Sequence, residues 1–281
     1  MTGRPLGRRL VVALCLAVVV LLYVPLVPPF LKSIEVSDGE GTWLHYRELA
    51  QDLVISDAVQ RSVQLAVIVG VATALLALVA GLAIRRSRIP RVLIVALLMP
   101  LFVPAVSAGL SSAMFFKYVG LEPSLLSMVL VQVCYCLPFA FLIVITSMST
   151  FEERLIEAAY MSGATPVRAF WTVELPIIRS GVVGGAVFSM VLSLNETIRT
   201  SLVQGPFNTI QTYIWATYLD VGINPSLYAL MSIMILATAG IIGIFLVVVS
   251  LRSRRVDVPP DALATPAEPA PGIPVGSGRP A

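Results

Sequence analysis

The chain has 281 residues, 57% of them hydrophobic and 12% charged, with a mean hydropathy of +0.91. A soluble globular domain carries about 25% charged residues, so this composition excludes one and points to an integral membrane protein of several spans. The formal net charge of +3 is too small to argue for a nucleic-acid partner.

In chain order, Arg4, Arg8 and Arg9 precede an apolar run from Leu10 to Phe30. The run has the length of a full span and no small-x-small cleavage site follows, so it reads as an uncleaved first span. The polar connection 31–58 places Trp43, Leu44, Tyr46, Leu49 and Leu53 at roughly helical spacing, which predicts a short helix at the membrane interface. His45 reads as a solvated loop residue there. Span two is expected from about Val59 to Ile84, closed by Arg85, Arg86, Arg88 and Arg91. Span three, Val92 to Tyr118, holds Pro100 and Pro104 and is expected to be kinked or broken. Span four covers Leu125 to Met148, with Gln132 and Pro138 inside it.

Residues 150–176 are the longest polar interruption in the second half. Thr150 and Glu153 have capping-box spacing for a helix start. Gly163 permits a sharp turn, and Thr165-Pro166 reads as an N-cap followed by proline at the first helical position. Pro176 is expected to end that second helix. Span five, Ile177 to Ser201, carries Gly181, Gly184, Gly185 and Ala186, which permit close helix contact. A polar stretch from Gln204 to Asn224 leads to span six, Pro225 to Leu251. The remainder, 252–281, is rich in Pro, Ala and Gly and reads as a disordered tail. The expected organisation is a terminus over 1–9, a membrane domain over 10–251 and that tail.

Six spans place both termini on one side. The termini and the connections after spans two and four hold every basic residue except Lys32, Arg47, Arg61, Lys117 and Arg199. The positive-inside rule therefore predicts cytoplasmic termini and a cytoplasmic 150–176 loop.

Cys15, Cys134 and Cys136 fall inside apolar runs, and the last two have the wrong spacing for a zinc or redox pair. They are expected as small buried thiols at helix interfaces. A phosphate-cradling G-x-x-x-x-G-K-[ST] loop does not occur, and a single histidine cannot build a metal site or a Ser–His pair in the membrane. No enzyme is expected in this chain.

The pattern Glu157-Ala158-Ala159, Gly163, Val173 and Leu175-Pro176 resembles the "EAA" loop of MetI-like permease subunits of bacterial ABC importers, with Val173 where that family usually has Ile. Residues 43–66, 99–116 and 193–215 look like the same family, the last two like its spermidine/putrescine subgroup, so the resemblance spans most of 40–250. It implies an all-α membrane fold of six helices and a cytoplasmic helix–turn–helix that couples to an ATPase. It also implies partners: two ATP-binding subunits that hold ATP and Mg, a second permease chain and an extracytoplasmic binding protein, all beside membrane lipid. In the coupling loop Glu157 would contact the ATPase, Ala158 and Ala159 would pack closely, Gly163 would form the turn, and Leu175-Pro176 would set the angle to span five. The subgroup commonly has an acidic residue where Asn195 stands, leaving Glu196 as the carboxylate. Glu196 faces a cationic substrate or pairs locally with Arg199 three residues on; Asn195 reads as a pathway group or as interhelical glue. A polyamine is the favoured solute. The alternatives are another small solute (an amino-acid derivative, opine, phosphonate or ferric iron) or an ion-coupled carrier.

Overall fold

A computed structural model describes residues 5–34, 44–152 and 154–253. Trp43, Glu153, the first four residues and the chain beyond 253 lie outside the described residues, and with them most of the expected tail. The chain divides into two compact units, Met1–Phe245 and Leu246–Ala281. The described part of the second is the last stretch of one helix.

All regular structure among the described residues is helical. The first span is α1 (Pro5–Tyr23), a 3₁₀ turn at Val24–Leu26 where Pro25 interrupts, and α2 (Val27–Ser33). Among the described residues none buries the apolar window of this span, although Ser33 at its end is buried. The short α3 (Leu44–Gln51) follows. It packs on the bundle: Leu49 is buried with Ile55, Ala58, Ala229 and Leu230, and the Tyr46 hydroxyl donates to Ser33 Oγ at 2.8 Å. His45 sits on this helix, with Nδ1 3.4 Å from Glu48 Oε2, rather than in a loop.

Span two is the long α4 (Leu53–Arg85), started by Asp52, whose carboxylate accepts from the amide of Val54 at 2.8 Å. The expected third span resolves into α5 (Pro90–Leu98) with a 3₁₀ turn at Met99–Phe102, and α6 (Ala105–Tyr118), bent by 101°. Proline cannot donate an amide and pushes its predecessor out of helical geometry. Val103, before Pro104, accordingly takes φ −83° and ψ 124°. Among the described residues five helices are long and apolar enough to cross a membrane, and this bent pair makes a sixth if it is one span.

Span four is α7 (Leu125–Ser149), entered through a capping box between Ser124 and Ser127. After the loop come α8 (Arg154–Met161) and α9 (Pro166–Ala169), then α10 (Leu175–Leu194), α11 (Ile198–Ser201), α12 (Ile210–Val221) and α13 (Pro225–Ser253). Span five thus ends at Leu194, earlier than expected, and the polar stretch before span six contains a helix, α12.

The centre of the unit is α4, α7 and α10, packed on one another. In lipid, helices gain little from apolar burial and associate through close packing, which small residues permit. A Cβ on Gly181 would lie 2.2 Å from the Cβ of Ser147, and one on Gly70 would lie 2.9 Å from the carbonyl oxygen of Ala186. A Cβ on Gly185 would lie 3.3 Å from the Ala140 carbonyl oxygen. Cys136 is buried in this core, whereas Cys134 and Cys15 are exposed. Positions two apart on a helix point nearly opposite ways, so burying one thiol exposes the other.

Replacing Gly181 by Leu should overpack the α7–α10 contact and cost about 1–3 kcal/mol. The same change at Gly240, where an added Cβ meets nothing within 4 Å, should be near neutral. Monodisperse protein remaining after heating in detergent measures both.

Candidate functional site

The loop between α7 and α10 is built from local rules. Thr150 does not start its first helix. It caps the end of α7, its hydroxyl donating to the Ser147 carbonyl at 2.8 Å, because a terminal carbonyl there lacks a helical partner. α8 begins at Arg154, with Glu157 in its first turn, where a negative charge suits the helix dipole. It ends in a Schellman motif. The amide of Ala164 donates to the Ala159 carbonyl at 3.0 Å, that of Gly163 to the Tyr160 carbonyl at 2.9 Å, and Gly163 has φ +81°. Thr165 then caps α9, accepting from the Arg168 amide at 3.4 Å, with Pro166 first in the helix.

Pro176 does not end this second helix. Phe170–Glu174 forms a π turn, closed by the Leu175 amide donating to Phe170, and helix continues from Pro166 to Leu194. The wider turn accommodates a proline that has no amide to give and whose ring would clash with an α-helical carbonyl. Loop and span are therefore one continuous rod.

The loop has two faces. Ile156, Phe170, Val173 and Leu175 pack inward on the cluster holding Ile84, Met148, Phe151 and Ile178. Outward, Ala158 is exposed beside Leu155, Met161 (90% exposed), Val167 (69%) and Trp171 (63%). Ala159 is half-buried, and Glu157 is exposed. Between α8 and the end of α4 lies a cavity of about 270 Å³ lined by Leu82, Arg85, Arg86, Ile156, Glu157 and Tyr160, among others.

Two residues with no place in the sequence pattern close this region. Glu174, between Val173 and Leu175, is buried and ion-paired with Arg85 at the end of α4. The Arg85 guanidinium also lies over the Phe151 ring, 5.7 Å from its centroid. The available signal was a lone carboxylate in an apolar stretch, on the same side as a run of arginines.

At the opposite end of the bundle the helix breaks at Asn195–Thr197. Glu196 accepts from the Arg199 amide at 2.9 Å and from its guanidinium at 2.8 Å, with the Glu196 side chain buried and that of Arg199 half-buried. The same guanidinium lies 4.0 Å from the Tyr135 ring centroid. Of the two arrangements open to Glu196, this is the local pair. Nearby, Gln132 bridges α7, α10 and α11, donating to Thr200 Oγ1 at 2.8 Å and accepting from Ser193.

Asn195 is exposed and donates to the Val191 carbonyl at 2.7 Å. It lines a cavity of about 730 Å³ with Thr197, Gln211, Trp215, Tyr218 and apolar residues of α13. Glu196 does not line it. The sequence offered no sign of this cavity, because the first span, α12 and α13 wall it together.

Residues 66–258 match a protein family described as binding-protein-dependent transport system inner membrane component. The chain is 26% identical over 236 residues to the putrescine transport system permease protein PotI of Escherichia coli K12, covering 79% of this chain and 84% of that protein. It is 25% identical over 241 residues to the spermidine/putrescine transport system permease protein PotC of the same organism, covering 82% and 90%. Among solved structures, a chain of a bacterial alginate ABC transporter, crystallised with an alginate pentasaccharide-bound periplasmic protein, shares the fold. The TM-score is 0.66 at 16% identity, covering 89% of this chain and 94% of that one.

Glu196→Ala should leave the half-buried Arg199 charge without its carboxylate and cost about 1–3 kcal/mol, while the double variant with Arg199→Ala should lose less than the single one. Thermal unfolding of the solubilised chain distinguishes the two.

Proposed function

The chain belongs to the family of binding-protein-dependent transport system inner membrane components, and from that premise we propose that it forms half of the translocation pathway of an ABC importer and couples to a separate ATPase through residues 150–176. The observation that carries this reading is the outward face of α8 and α9. Leu155, Ala158, Met161, Val167 and Trp171 are exposed together on a segment anchored from behind by Ile156, Phe170 and Val173. Contiguous apolar surface on a firmly backed element marks a protein interface.

In this mechanism the ATPase receives α8, with Ala158 and Ala159 allowing close approach and Glu157 offering a charged contact. Gly163 sets the turn between the two helices. The continuous helix 166–194 carries loop displacement directly into span five. ATP and Mg belong to the two partner subunits, and an extracytoplasmic binding protein delivers the solute. The arginine distribution supports cytoplasmic termini and a cytoplasmic loop, in a multi-pass inner membrane protein. The buried carboxylates among the described residues, Glu174 and Glu196, are each held by an arginine. That favours coupling to an outside energy source over ion-coupled carriage.

For the solute, the names of the relatives favour a polyamine such as putrescine or spermidine. One observation favours a second reading, import of another small solute. Glu196 is occupied by Arg199, and the polar groups lining the large cavity at that end are the neutral Asn195, Thr197 and Gln211 alongside aromatic hydroxyl and indole groups. Uptake of labelled putrescine by the reconstituted complex, with neutral solutes as competitors, separates the two.

Gly163→Trp tests the docking role. Space is open around this position, but its φ of +81° strains any side chain bearing a Cβ, so the turn should distort while the membrane core stays intact. Co-expressed ATPase recovered with the native chain should fall roughly tenfold with the variant, equivalent to about 1.4 kcal/mol of interface. Equal recovery from both would remove the loop from the interface.

A further inference from the structure

We propose that the Arg85–Glu174 ion pair is the link through which the loop moves span two. The proposal rests on the coupling-loop reading above and adds to it a second output for the loop's displacement. The continuous helix explains how span five follows the loop, since they are one rod. It leaves open how the end of α4, where Arg85 lies 89 residues from Glu174 in sequence, is held in step.

Apolar packing also joins the loop to the end of α4, since Ile84 shares a cluster with Ile156, Phe170 and Val173, but apolar contact is non-directional. Beside it lies the 270 Å³ cavity, and Arg85 and Glu174 on its wall supply the directional contact between the two elements. Arg85 is the last residue of α4, and Glu174 is the last residue of the π turn, directly ahead of α10. The Glu174 side chain is 7% exposed and that of Arg85 25%, so water and salt screen the pair less than a surface contact. Arg85 also reaches the loop's entrance through the Phe151 ring. One guanidinium thus touches the loop where it leaves α7 and where it becomes α10.

Further along, α4 and α10 meet again where Gly70 lies against the Ala186 carbonyl. That contact and the ion pair stiffen two helices already packed on one another. A displacement of the loop then tilts α4 and α10 together. Without the pair, only apolar packing holds the loop end of α4, and it lags behind α10. Arg85 and Glu174 are positioning residues in this scheme and touch neither solute nor nucleotide.

The test uses the full complex of this chain with its second permease, ATPase subunits and binding protein in lipid. Spin labels replace the exposed Val79 of α4 and Val183 of α10, with the native cysteines removed, and the distance between them is read with and without ATP. In the native complex ATP should leave the distance unchanged. With Glu174→Gln, ATP should shift it, and the exchanged pair Arg85→Glu with Glu174→Arg should abolish the shift. A merely static pin would change the distance before ATP is added and leave the ATP response alone, which overturns the proposal. So does a native distance that itself shifts with ATP. Should Glu174→Gln fail to assemble, the exchanged pair decides: assembly with a native ATP response supports the link, and anything else overturns it. A native complex that retains no ATPase overturns the docking reading first, and is recognised as that failure because no ATP response exists in any variant.

Discussion

Three helices that approach to backbone contact set the geometry of everything else here. α4, α7 and α10 lie in an apolar surround where burial of side chains offers little reason for helices to associate. Contact at Gly70, Gly181 and Gly185 replaces that driving force with dispersion between closely fitted surfaces. Once these three are fixed, their ends are fixed too. One end presents the loop, and the other presents the break at Asn195–Thr197 over the large cavity.

The two ends are finished by different chemistry. At the cavity end, Gln132 joins three helices through neutral hydroxyl groups, and Glu196 with Arg199 closes the broken helix on itself. Charge there is neutralised within four residues. At the loop end the charge pair spans two separate segments of the chain. Local neutralisation stiffens an element, whereas a pair across elements makes their positions interdependent. The cavity end is therefore stiffened locally, and the loop end is tied across elements.

Much of this was legible in the sequence because the signals were long or locally determined. Apolar runs marked spans two, four and six to within a few residues, and Pro104 marked the broken third span. Gly163 and Thr165-Pro166 marked the turn and the start of α9, since both act within a single turn of chain. Legibility failed where a distant partner or a competing local bond decided the outcome. Thr150 had the spacing of a cap but bonded backward to Ser147. Pro176 looked like a stop until the preceding turn widened around it. The Arg85–Glu174 pair left no periodicity, and the spacing of Glu196 and Arg199 allowed their local pair without requiring it. Cys134 and Cys136 looked alike in composition and differed only in the side of the helix they occupy.

The widened turn at Phe170–Glu174 has a consequence for how such a chain changes over time. An α-helix that gains one residue rotates everything beyond it by about 100°, which would swing Gly181 and Gly185 away from α7. A five-residue turn is the form in which a helix stores an extra residue without passing that rotation on. Insertions and deletions in α8 and α9 are therefore absorbed before they reach the span. The surface offered to a partner is free to drift in length while the membrane core keeps its phase.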